Sequence, residues 1–194
     1  MTPPDPETTL LRYLQTAREA LLWKLEGLSE YDVRRPLTPT GTNLLGIVKH
    51  VASVEAGYLG DCFGRPSPEK LPWFAEDAED NADMWAPADQ SREEIISLYR
   101  RVWEHSDATV RELGLDAVGE VPWWPEDRRQ VSLHQILVHM IAEAHRHAGH
   151  ADIVRETIDG QAGLRADNSN LAPGDAAWWV AYREKVEQAA RAAR

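Results

Sequence analysis

Apolar residues return every three or four positions in five separate stretches of this chain. Leu10, Leu11, Leu14, Ala17, Leu21, Leu22 and Leu25 follow Asp5 and Pro6, a capping residue and a proline suited to a first turn. They predict a first helix over about residues 6–28. Thr40-Gly41-Thr42-Asn43 is a polar turn before Leu44, Ile47, Val48, Val51, Val54 and Tyr58, which predict a second helix stopping near Gly60 or Gly64. From Arg65 to Gln90, Pro66, Pro68, Pro72 and Pro87 and the acidic cluster Glu76, Asp77, Glu79 and Asp80 oppose regular structure, so a long loop with room for one short helix is expected. Ser91-Arg92-Glu93-Glu94 has capping-box spacing and opens a third helix through Ile95, Leu98, Tyr99, Val102, Trp103, Ser106, Val110 and Leu113 to Gly114. Ser132-Leu133-His134-Gln135 repeats the box and opens the longest helix, which runs to about Ile158 before Gly160. After a Gly-, Asn- and Pro-containing connection, Ala176, Trp179, Tyr182, Val186 and Ala190 form a shorter amphipathic pattern. No alternating pattern is long enough for a sheet. The expected fold class is all-α: a four-helix bundle over residues 6–158 with its long crossover between the second and third helices, plus a short C-terminal helix in an extension over 160–194. The whole of 1–194 reads as one domain.

Composition then narrows the partners. With 32 acidic against 21 basic residues the formal charge is −11, which opposes phosphate backbones and anionic membranes. No nucleic acid and no membrane partner is expected. Met1 to Glu7 is proline-rich and acidic, and no apolar run approaches the roughly 18 residues that span a bilayer, so a cytoplasmic location is expected. The single cysteine, Cys62, rules out an internal disulfide and a cysteine-rich zinc site, leaving His and carboxylate as metal ligands. It has no activating basic neighbour in sequence and reads as structural; a Gly-x-Ser-x-Gly elbow is absent. The 8 tryptophans, Trp178 and Trp179 among them, could supply an exposed patch for a homodimer.

Five of the 7 histidines lie between Val131 and Ile158, beside Glu143. On a helical wheel the apolar set Leu133, Ile136, Leu137, Met140, Ala144, Ala151, Val154 and Ile158 defines a core direction. His147 falls roughly 30° from it, Glu143 roughly 70°, and His150 and His139 roughly 90° and 110° on the same side. His134 and His145 leave by the other edge and read as solvated. Glu143 and His147, four apart, can converge on one ion, and His50 on the apolar stripe of the second helix is the natural third ligand. The plainer alternative keeps His50 as a core histidine bonded to a carbonyl and Glu143/His147 as an ordinary i,i+4 pair.

The run His139-Met-Ile-Ala-Glu143-Ala-His-Arg-His147-Ala-Gly149-His150-Ala-Asp152, with His50 in Leu45-Gly-Ile-Val-Lys-His50-Val, resembles the DinB-like metalloprotein superfamily over roughly residues 6–158. That resemblance implies a four-helix bundle with a metal triad of His50, Glu143 and His147. Many members have His where this chain has Glu143, and the departure is similar to the branch of mycothiol-dependent maleylpyruvate isomerase. It further implies a metal-dependent thiol S-transferase or isomerase, in which a divalent ion activates a low-molecular-weight thiol such as mycothiol toward an electrophilic small molecule, as in detoxification. The alternatives are a non-catalytic metal-binding stress-response protein and a metal-dependent hydrolase. Two histidines and a carboxylate suit zinc, the default, and also nickel, iron or cobalt. His150 is a candidate acid/base or ligand-orienting residue. His150 and His139 are also the nearby residues able to close a structural site. Arg155 either snorkels, binds a carboxylate of the thiol cofactor, or makes an ordinary ion pair. Trp123 and Trp124 either wall the site, with Trp124 as a cofactor contact, or simply pack. Asp152 is expected to face outward.

Overall fold

The computed structural model describes residues 4–75 and 77–193; Glu76 of the acidic cluster, the Met1–Pro3 start and Arg194 lie outside the described residues. Its helices are α1 (Pro6–Trp23), α2 (Glu30–Arg34), α3 (Leu44–Leu59), α4 (Arg92–Leu113), α5 (Leu133–Asp159) and α6 (Ala176–Ala192). Two three-residue strands, β1 (Val118–Glu120) and β2 (Gln130–Ser132), pair antiparallel with Gly119 opposite Val131. The protein is therefore mostly helical, and the expectation of no sheet is corrected. Strands this short cannot show an alternating pattern.

Local chemistry explains most boundaries. Asp5 accepts from the Thr8 amide ahead of Pro6, and Asn43 accepts from the Gly46 amide to start α3. Ser91 and Glu94 make both bonds of a capping box on α4. Ser132 accepts from the Gln135 amide, and Gly160, at φ 78°, ends α5. α1 stops at Trp23, short of the expected residue 28, although Leu25 stays buried. Gly27 adopts a φ of 72° and turns the chain into α2, which Ser29 caps.

α3 packs against both α4 and α5, and α1 against α5. Leu14, Leu21, Val51, Val102, Leu137 and Met140 are fully buried between these helices. A fully buried ion pair joins Arg18 of α1 to Glu55 of α3 at 2.5 Å, and Arg18 also reaches Asp107 of α4 at 2.8 Å. Such a pair specifies one arrangement of three helices more than it adds stability. α6 buries none of its residues, so its apolar stripe, including Trp178, Trp179 and Tyr182, faces outward.

Between Arg65 and Gln90 the long loop holds, among the described residues, two single 3-10 turns, at Pro72–Phe74 and Ala82–Met84. The second is fixed onto α3. Lys49 donates to the carbonyls of Ala82 and Trp85 at 2.8 and 2.9 Å, and Asn43 donates to that of Met84 at 3.0 Å. The loop backbone comes so close that a Cβ on Gly46 would stand 1.8 Å from the Met84 oxygen. This position admits only glycine without movement of the loop. The β hairpin docks similarly on the 3-10 turn Asp61–Phe63 that follows α3, where a Cβ on Gly119 would meet the Cys62 oxygen at 2.4 Å.

Candidate metal centre

Because α3 lies beside α5, His50 faces the Glu143/His147 pair. His147 Nε2 is 3.0 Å and His50 Nε2 3.7 Å from the same Glu143 oxygen, Oε1. One ligand atom from each residue lies within 4.8 Å of the others. The side chains are 21, 26 and 12% exposed for His50, Glu143 and His147, so the group is reachable from solvent without being bathed in it.

Behind His50 stands Asp83, from the turn clamped onto α3, and His50 Nδ1 donates to its Oδ2 at 2.5 Å. This bond assigns the His50 proton to Nδ1 and turns the bare Nε2 lone pair toward Glu143. Two electron-rich atoms then face each other, an arrangement that a cation complements. His147 Nδ1 is buried and has no hydrogen-bond partner among the described residues. Burial and, after it, the neighbouring His50 hold the His147 imidazole below its ordinary pKa, against the pull of Glu143. The neutral form thus favoured is the one that binds metals. The residues fit a divalent cation bound by two imidazoles and one carboxylate.

His50 and Glu143 of the triad line a cleft of about 670 Å³ together with Val54, Tyr58, Phe74, Trp123 and His139. Burial pushes the Cys62 thiol up to about 11, so no thiolate of the protein competes at the site.

The remaining residues singled out from sequence divide. His150 is exposed, its ring edge-on to His147 at 5.4 Å. His139 packs on Tyr58 and Trp124, at 4.7 and 5.4 Å between ring centres. Neither belongs to the converging group among the described residues. Trp124 does not line the cleft; it stands behind Tyr58, to which its indole donates at 2.9 Å, while Trp123 forms the wall. Arg155, for which an ordinary ion pair was one of the expected roles beside a cofactor contact, is engaged within the protein. Its guanidinium is buried, donating to Asp159 at 2.7 Å and to the carbonyls of Lys24 and Glu26 at 2.8 Å, bonds that tie α5 to the end of α1. Asp152, expected outward, pairs with Lys24 at 2.7 Å. His145, expected solvated, donates to the Tyr13 carbonyl at 3.2 Å, whereas His134 is exposed as expected.

Sequence reasoning missed Asp83 and Tyr58. Asp83 sits in an acidic, proline-broken loop, where no periodicity marks which carboxylate turns inward. Tyr58 was legible in part: His50, Val54 and Tyr58 are spaced by four and share one face of α3.

Among the described residues no helix is long and apolar enough to cross a membrane. No curated protein matches the chain. The family described as Mycothiol-S-transferase matches residues 9–160, a span that runs from α1 to the end of α5 and includes His50, Glu143 and His147. The chain belongs to the mycothiol-S-transferase family, within the DinB-like superfamily.

Proposed function

We propose that this protein is a metal-dependent mycothiol S-transferase, with His50, Glu143 and His147 holding one divalent ion, zinc by default, beside the Val54/Phe74/Trp123 cleft. In this reading α1, α3, α4 and α5 form a four-helix bundle within one domain, and residues 160–194 are an extension of it. The observation that carries the reading is the convergence of two imidazole nitrogens on one carboxylate oxygen, with Asp83 fixing the tautomer of His50. Three protein donors without a fourth among the described residues favour a catalytic over a closed structural site.

A bound divalent ion supplies Lewis acidity that favours the thiolate form of a coordinating thiol at neutral pH. The chain does the rest. Asp83 keeps the His50 lone pair aimed into the site, and Glu143 offsets part of the cation's charge. His150, exposed beside His147, passes the thiol proton to solvent. Val54, Phe74 and Trp123 exclude water from one side of the electrophile and favour an apolar body. A reduced low-molecular-weight thiol is a reagent of the cytoplasm, where this reading places the enzyme. The test is mycothiol turnover with an electrophile panel, before and after chelation and with metal restored. The reading requires activity that chelation abolishes and metal returns; turnover insensitive to chelation, or none with any electrophile, overturns it.

A further inference from the structure

Beyond the metal ligands, Tyr58 is the one cleft hydroxyl whose proton has no acceptor among the described residues. Tyr58 lies two turns along α3 from His50, a rise of about 12 Å, and both residues line the same cleft. The Tyr58 oxygen accepts hydrogen bonds from both Trp123 Nε1 at 3.2 Å and Trp124 Nε1 at 2.9 Å. A phenol has two acceptor sites and one donor. With both acceptor sites taken by indoles, which can only donate, the remaining capacity of this hydroxyl is to donate, and its hydrogen can point at neither indole nitrogen.

Its ring is held by His139 at 4.7 Å and Trp123 at 5.2 Å between centres, which restricts where the oxygen can move. The other hydroxyl of the cleft is already committed: Ser53 donates to the Lys49 carbonyl at 2.7 Å and accepts from Trp73 Nε1 at 2.7 Å. Asp61 also lines the cleft, but no hydrogen bond joins it to Tyr58 among the described residues.

We propose that Tyr58 and the walls beside it form an acceptor subsite for carbonyl-conjugated alkenes with an apolar or aromatic body, the Tyr58 O–H donating to the carbonyl oxygen. The proposal rests on the thiol-transfer reading above. The reaction balances without a further reagent. The thiolate sulfur bonds to the β-carbon, the alkene π pair shifts to place an enolate charge on the carbonyl oxygen, and the proton first lost by the thiol ends on the α-carbon. Tyr58 holds the enolate oxygen by a hydrogen bond that strengthens as the charge develops, which lowers the barrier rather than merely the binding constant. Trp123 and Trp124 polarise the phenol toward donation by occupying its lone pairs.

The subsite is tested first without turnover. Benzylacetone, a ketone that cannot react, and butylbenzene, which has no oxygen, are titrated by calorimetry into the wild-type protein and Tyr58→Phe. The ketone should bind the wild type more tightly than the hydrocarbon, against the order that apolar burial alone would set, and Tyr58→Phe should weaken the ketone about 3–10-fold while leaving butylbenzene within twofold. Butylbenzene affinity also reports whether the cleft survives the substitution. Should the variant not fold, the wild-type order decides, and a hydrocarbon that binds more tightly than the ketone overturns the proposal. Kinetics with mycothiol then compare benzalacetone with benzyl chloride, whose leaving group departs as chloride and needs no donor. Tyr58→Phe should lower kcat/KM for the enone about 100-fold and for the halide less than twofold. Equal losses on both substrates, or equal ketone affinity in the two proteins, overturn the proposal. A wild type that transfers thiol to neither substrate defeats the transferase reading alone, since the ketone titration still decides the subsite.

Discussion

Replacing Asp83 by alanine should loosen metal binding although Asp83 is not itself a ligand. Its carboxylate accepts the hydrogen bond from His50 Nδ1–H at 2.5 Å and its side chain is only 14% exposed, so solvent screens the bond little. A charge-assisted hydrogen bond of this kind contributes about 1.5–3 kcal/mol. Without it the imidazole is free to rotate and to move its proton to Nε2, the atom that faces Glu143. At about 1.4 kcal/mol per tenfold, metal affinity should fall roughly 10–100-fold. Asp83→Asn keeps an acceptor oxygen and loses the charge, so its loss should be intermediate. The turn itself should stay in place, because Lys49 and Asn43 hold its backbone carbonyls independently of residue 83. Competition with a chromophoric zinc chelator measures the affinities, and circular dichroism checks the helices. Alanine and asparagine variants that bind zinc within twofold of the wild type would refute the reasoning.

Three further outcomes follow from the same geometry. Gly46→Ala places a methyl into the Met84 oxygen and must displace the turn that carries Asp83, so it should cost about 1–3 kcal/mol in urea denaturation and weaken metal binding together. Burial lowers the Lys49 ammonium to about 8, against the pull of Asp83, while the unfolded chain keeps its proton to about 10.4. Stability should therefore rise with pH above 8, a rise that is lost as pH falls back through 8 and is absent in Lys49→Met; a rise of the same size in both proteins counts against it. Cys62, raised from 9.0 to about 11, should alkylate roughly 100-fold more slowly in the native protein than in urea, and Cys62→Ser should keep full transfer activity; rapid native labelling would contradict this.

Much of the helical layout was legible because capping and breaking residues mark it locally: Asp5-Pro6, Asn43, the Ser91/Glu94 box, Ser132 and Gly160 all act where the pattern placed them. The end of α1 was not, since Leu25 continues the apolar spacing while Gly27 leaves the helix. The hairpin was missed because its pairing is set by docking on Cys62 and Phe63 rather than by alternation. In the site, His50, Glu143 and His147 shared readable helix faces, and the structure brings them within reach of one another. Arg155 shows the limit of the same wheel. It correctly turned the side chain inward, yet could not say that the carbonyls of Lys24 and Glu26 and the carboxylate of Asp159 would meet it there. Asp83 depends on a close backbone approach at Gly46 that no spacing rule encodes.

The most direct test is the metal content of the purified protein by elemental analysis, beside His147→Ala prepared in parallel. The account predicts one divalent ion per chain in the wild type and its loss in the variant. A wild type without metal, or equal metal in both, would contradict it.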